Sequence, residues 1–110
     1  MRQGDWAKAE PFLVRAVKAS EEATNNDAGL VLIPLYGLCS LYDSWDKPEE
    51  AQPCWHRATE LMEKQVGERS PRLADPLSKE ATALHRLGRT QEANEVQRRL
   101  VQIQQASKED

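Results

Sequence analysis

Sliding the 110-residue chain against itself by 42 positions brings small and apolar residues into register, and no other feature constrains the fold as strongly. Ala9-Glu10-Pro11 falls on Ala51-Gln52-Pro53, Arg15-Ala16 on Arg57-Ala58, Glu21 on Glu63, Pro34-Leu35 on Pro76-Leu77, and Glu50-Ala51 on Glu92-Ala93. The register survives two successive shifts, through Ala9, Ala51 and Ala93 and through Arg15, Arg57 and Arg99. Ten overlapping pairs are identical, against roughly four or five expected from ordinary composition. Their weight lies in their placement on small or apolar positions at helical spacing. Self-similarity at this period is the signature of a solenoid of helical hairpins.

Composition agrees with helices. Ala (13), Leu (12) and Glu (12) dominate, while Val, Ile and Thr together number 12, and β-branched side chains suit strands better than helices. An all-α fold is expected, in one domain whose length suffices for a modest core. The net charge of −3 argues against a nucleic-acid or anionic-membrane binder, since both need a cationic surface. The longest apolar stretch, Ala28 to Leu38, is broken by Pro34 and falls far short of the ~20 residues that span a bilayer. No apolar run of signal-peptide length follows Met1, so a cytoplasmic location is expected. Cys39 and Cys54 stand fifteen positions apart without metal-ligand spacing, and read as small reduced core residues rather than as a disulfide or metal pair.

Five helices can be placed. The first runs from about Asp5, as N-cap, to Thr24, with Ala9, Phe12, Leu13, Ala16, Val17 and Ala23 on one face, and Asn25-Asn26 break it. The second, roughly Asp27 to Ser44, carries Leu35, Leu38, Cys39, Leu41 and Tyr42, and is expected to kink or begin at Pro34. A third starts from Asp46 as N-cap, with Pro48 in its first turn and Ala51, Trp55, Ala58 and Met62 along its packing stripe. Ser70 and Pro71 open the fourth, whose stripe is Leu73, Leu77, Ala81, Leu84 and Leu87 before Gly88 stops it. The fifth repeats Ala93, Val96, Leu100 and Ile103 at three- and four-residue spacing.

The run Leu35-Tyr-Gly-Leu-Cys-Ser-Leu-Tyr42, then Asp46-Lys-Pro-Glu-Glu-Ala51, Arg57-Ala58 and Glu63-Lys64-Gln-Val-Gly67, closed by Ser70-Pro71-Arg-Leu-Ala74, resembles a tetratricopeptide repeat. It is similar to the long, 42-residue variety found in kinesin light chains, and Gly88-Arg-Thr-Gln-Glu-Ala93 restarts the pattern. The resemblance implies a right-handed α-solenoid of antiparallel helical hairpins with about two and a half repeats. Residues 1–106 form it, as a half-repeat 1–26, a repeat 27–68 and a repeat 69–106, with 107–110 as a polar tail. Gly4-Asp-Trp-Ala-Lys-Ala9 corresponds to the start of a helix B, so its helix A would precede Met1. Cys39 and Ala51, and again Ala81 and Ala93, hold the positions where the family places small residues so that two helices can touch.

The resemblance also implies a role: a non-enzymatic interaction scaffold that takes a protein or peptide partner in its concave groove. Carried over onto this chain, the groove positions are Ile33, Tyr36, Gly37, Ser40, Asp43 and Ser44 on one helix and Asp75, Ser78, Lys79, Thr82, His85 and Arg86 on another. Tyr36 is the natural anchor, and Lys79 and Arg86 could read an acidic group or C-terminal carboxylate. The paired Asn of light-chain repeats are replaced here by Tyr36-Gly37 and Ser78-Lys79, so backbone clamping of that type is not expected. The alternative role is homo-oligomerisation through the uncapped first helix at Phe12, Leu13 and Ala16. Glu80 stands where the earlier repeat has Leu38, an unfavourable place for a lone carboxylate.

Catalysis finds no foothold in the sequence. His56 and His85 lie on different helices outside any metal-ligand spacing, and Glu49-Glu50, being adjacent, do not face one another. Trp6, Trp45 and Trp55 read as packing residues rather than as a stacking platform. No cofactor or metal is implied.

Overall fold

The computed structural model describes residues 3–25 and 27–109, and side chains within 5–25 and 27–106. Among the described residues the chain is all-helical: α1 (Gln3–Ala23), α2 (Ala28–Ser44), α3 (Pro48–Val66), α4 (Ala74–Arg86) and α5 (Thr90–Glu109), with a 3-10 turn at Pro71–Leu73. Among the described residues each helix packs against its neighbours in the chain and no other, so α1 and α5 are each packed on one side only.

Every described residue with positive φ lies where a helix ends. They are Asn25 (54°), Asp46 (57°), Gly67 (91°) and Gly88 (77°), one every 21 residues, so that two such intervals make the 42-residue period. The backbone bonds repeat with them. After α2, the N–H of Lys47 bonds Tyr42 O at 2.9 Å and that of Asp46 bonds Asp43 O at 3.2 Å. After α4, the N–H of Arg89 bonds Leu84 O at 2.9 Å and that of Gly88 bonds His85 O at 3.0 Å. Both are Schellman turns, whose left-handed residue lets two backbone N–H groups satisfy the last carbonyls. Asp46 is therefore the stop of α2 and not the cap of α3, whose N-cap position is Lys47; Asp and Asn reach this conformation because their short polar side chains tolerate it.

Two ion pairs are also duplicated at the same offset. Arg57 Nη2 lies 2.5 Å from Glu21 Oε2, and Arg99 Nη2 lies 2.7 Å from Glu63 Oε1, joining residues that the 42-residue shift superposes.

The α2–α3 seam is closely packed. Cys39 and Ala58 are fully buried, and Ala51 and Trp55 almost so. Here the expectation of reduced cysteines fails: Cys39 and Cys54 form a disulfide, their Cα atoms 5.4 Å apart. Small side chains on both helices permit a close approach, and that approach brings the two Cβ atoms within bridging reach. Nor does the second helix begin at Pro34, because α2 runs unbroken from Ala28. Proline leaves the carbonyl four residues earlier without its donor, and the Ser20 hydroxyl of α1 donates to that oxygen, Leu30 O, at 2.9 Å.

Other boundaries shift for local reasons. Asp5 sits inside the first turn of α1 rather than capping it, whereas Asp27 does cap α2 through bonds from Gly29 and Leu30 N–H. Ser70 caps the 3-10 turn that precedes α4. Of the expected tail, 107–109 continue α5; Asp110, like Met1, Arg2 and Asn26, lies outside the described residues. The face assigned to α1 divides, since Val17 is buried while Phe12, Ala16 and Ala23 are exposed.

Two measurements test these features. Replacing both Cys39 and Cys54 by Ala opens a 15-residue loop, and denaturant unfolding should show a loss of about 3 kcal/mol. Gly88→Ala should lower stability by about 1 kcal/mol while Asp46→Gly raises it, since each acts on a left-handed position; thermal melts by circular dichroism should move by about 4–8 °C per kcal/mol.

Candidate functional site

Some of the expected groove residues make contacts between α2 and α4. No Cα of α2 comes within 8 Å of one in α4, yet side chains span the gap at two places. From the middle of α2, Tyr36 Oη donates at 3.0 Å to Oδ2 of Asp75 in the first turn of α4. Beyond the end of α2, Arg86 Nη2 lies 2.8 Å from Asp46 Oδ1. These contacts pair residue 36 with 75 and 46 with 86, so the two helices run in the same direction; the surface between them is called the furrow below.

Tyr36 is half-buried, with its ring edge-on to Trp55 at a centroid distance of 5.0 Å. Trp55 Nε1 in turn donates to Asp43 Oδ2 at 3.0 Å, so one buried indole from α3 holds two groove residues of α2. Burial, together with the hydrogen bond to the Asp75 carboxylate and its charge, pushes the Tyr36 hydroxyl above the ordinary phenol range. Tyr42, whose hydroxyl donates to Glu10 Oε2 at 2.7 Å, is raised for the same reasons.

The furrow therefore divides into committed and available groups. Tyr36, Asp43 and Arg86 are engaged as described, and Thr82 Oγ1 donates to Ser78 O at 3.0 Å within its own helix. Ser40, Lys79 and His85 are exposed, and none forms an ion pair or side-chain hydrogen bond with another described residue. Ile33 is 73% exposed at the same surface of α2. The available chemistry is one ammonium, one imidazole, one hydroxyl and an aliphatic side chain. Asp46 and Trp55 were absent from the groove assignment, and only the repetition of Asp46 at Gly88 could have shown that this residue ends α2.

The remaining candidates are dispersed. Phe12 is 69% exposed and Ala16 is exposed, but Leu13 packs inward against the core and lies close to Gly37. Glu80 is 4% exposed. Gln52 Nε2 donates to its Oε2 at 3.0 Å, and His56 Nδ1 lies 3.0 Å from the same oxygen. The other ring nitrogen of His56 faces Glu60 at 3.4 Å, so the two carboxylates address opposite sides of the imidazole. Among the described residues no group of three or more His, Cys, Asp or Glu side chains is placed to hold a metal ion. An open cleft of about 550 Å3 lies away from the furrow, between the α3–α4 connection and α5, lined by Glu63, Glu68, Arg69 and Arg99 among others.

No family model matches the chain, and no curated protein matches it significantly.

The tyrosines provide a pH test. A phenol raised in the folded state contributes stability that is complete below its unfolded value of 10.0 and is lost as pH rises through that value toward the folded one. Unfolding free energy should fall above about pH 10 and fall less steeply in the Tyr36→Phe, Tyr42→Phe double variant. Absorbance titration near 295 nm should show both phenols ionising late.

Proposed function

We propose that the chain is a tetratricopeptide-type helical repeat acting as a non-enzymatic interaction scaffold, with a partner peptide held along the furrow between α2 and α4. The fold in this reading is a right-handed solenoid of antiparallel hairpins, with a half-repeat over 1–26, a repeat over 27–68 and a repeat over 69–106. The observation that carries it is the period itself: left-handed residues every 21 positions, two Schellman turns 42 residues apart, and the Arg57–Glu21 and Arg99–Glu63 pairs at the same offset. A repeat unit cannot bury its apolar face alone, so stacking of like hairpins is the economical explanation of such repetition.

The chemistry of the furrow suits a segment bearing an acidic group and an apolar side chain. Lys79 is uncompensated, Arg86 is held by a single exposed bridge to Asp46, and Ile33 presents an aliphatic surface. An exposed bridge contributes little, so a carboxylate could displace Asp46 at small cost. The net charge of −3 weighs against nucleic acid as the partner. Among the described residues no helix is long and apolar enough to cross a membrane. Because disulfides persist where thiols are oxidised, the Cys39–Cys54 bridge favours an oxidising compartment over the cytoplasm as the place where such a scaffold works.

Selection of a random peptide library on the oxidised chain tests this reading. Enriched peptides should carry acidic residues, and the combined Tyr36→Ala, Lys79→Ala, Arg86→Ala variant should lose at least about tenfold in affinity. Substitution of Asn94 and Arg98 on α5 should leave binding unchanged. Failure of any peptide to enrich, or equal binding to all variants, would remove the furrow as a site.

A further inference from the structure

The two ends of the helical array differ in chemistry. Among the described residues, three of the four large apolar side chains that stand exposed belong to the α1–α2 end: Phe12 at 69%, Leu30 at 51% and Ile33 at 73%. Two contacts fix how these helices lie together. Ser20 Oγ bonds Leu30 O at 2.9 Å, and Leu13 Cδ2 stands 3.3 Å from where a Cβ on Gly37 would be. Residue 16 is thereby level with residues 33–34, so Ala16 and Ala19, both exposed, lie between Phe12 and the aliphatic pair of α2. The opposite end is polar: α5 exposes Asn94, Gln97, Arg98, Gln102 and Gln105, with Val101 alone at 40%.

We infer that the α1–α2 face is a two-fold interface with a second copy of this chain. An apolar surface is best covered by another apolar surface. The α5 end does not offer one, so head-to-tail stacking of copies is disfavoured, and the surface that matches the α1–α2 face is the same face on another molecule. Such an interface is isologous and closes at two subunits.

Charge on the flank of α1 defines the register. Lys8, Arg15 and Glu22 recur every seven residues on the side of α1 away from α2, and all three are exposed. Lys8 and Glu22 have no ion-pair partner among the described residues. When two α1 helices cross a two-fold axis level with residue 15, Phe12 meets the gap between Ala16 and Ala19 of the second copy, a knob entering a shallow hole. In that register Lys8 falls opposite Glu22 of the second copy, twice by symmetry, and Arg15 falls opposite itself. The first contact is attractive and the last repulsive, so the association is specific but weak.

Sedimentation velocity on the oxidised chain, from about 1 to 300 μM, should show a reversible monomer–dimer equilibrium and no larger species. Phe12→Asp and Ile33→Asp should each weaken the dimer at least about tenfold, and Arg15→Gln should tighten it. Lys8→Glu should weaken it, and adding Glu22→Lys to that variant should restore it; all these positions are exposed, and circular dichroism should confirm unchanged helicity. A monomer at every concentration, assembly beyond the dimer, or failure of the double charge reversal to restore association would each overturn the inference. Peptide capture in the furrow is read separately with Phe12→Asp and the charge reversals, which leave Tyr36, Lys79, Arg86 and the Ile33 shared by both surfaces in place.

Discussion

The rest of the molecule depends on the close approach of α2 and α3. Helices joined at Cys39, Ala51, Cys54 and Ala58 lie nearer than large side chains would allow, and the Cys39–Cys54 bond makes that approach covalent. Trp55, buried to 1% exposure beside this seam, then acts outward. Its ring supports Tyr36 and its N–H holds Asp43, while Tyr36 reaches across to Asp75 of α4. A chain of contacts thus leads from the closely packed seam to the surface between α2 and α4. Looser packing at the seam would free the tyrosine and the aspartate together.

Repetition is carried by backbone chemistry more than by residue identity. Asp46 and Gly88 share no side-chain resemblance, yet each ends a helix with positive φ and the same pair of hydrogen bonds. Glycine does this without steric penalty and aspartate with a small one. Identity is retained where geometry demands it: Ala51 and Ala93 are buried at helix contacts, and Arg57 and Arg99 tie successive units through Glu21 and Glu63. Glu80, set against Leu38 one unit earlier, shows how a polar residue is accommodated in the same place. Its carboxylate is buried, but Gln52 and His56 supply the partners that a buried charge requires.

The proposed furrow and the α1–α2 face differ in their dominant chemistry, although Ile33 borders both. Polar and charged groups line the first, giving selectivity through hydrogen bonds and charge. Exposed apolar side chains occupy the second, which favours burial with little directional demand. A dimer through α1 and α2 would leave Lys79, His85 and Arg86 of α4 accessible on both copies, so self-association and partner capture would reinforce each other through multivalency.

Helix content, the order of the helices, the 42-residue period and the small residues at the seam were all legible in the amino-acid sequence. Each is a local or near-local property, set by propensity and by the spacing of apolar positions. The cysteines were legible only as core residues. Their pairing depends on two Cβ atoms from separate helices coming within reach, which is a matter of tertiary distance. Pro34 illustrates the same limit: alone it signals a helix start or break, and only the Ser20 hydroxyl arriving from α1 supplies the donor that Leu30 O lacks. Of the groove residues, the sequence placed Tyr36, Asp43, Lys79 and Arg86 on the right helices but could not tell which were engaged. Engagement is decided by Trp55, Asp75 and Asp46, residues up to 40 positions away in the chain. Sequence by itself determined the repeating unit, because helix and turn are short-range. Tertiary structure decided which side chains were consumed in holding units together and which remained free, because contacts between units are set by packing distance and not by spacing along the chain.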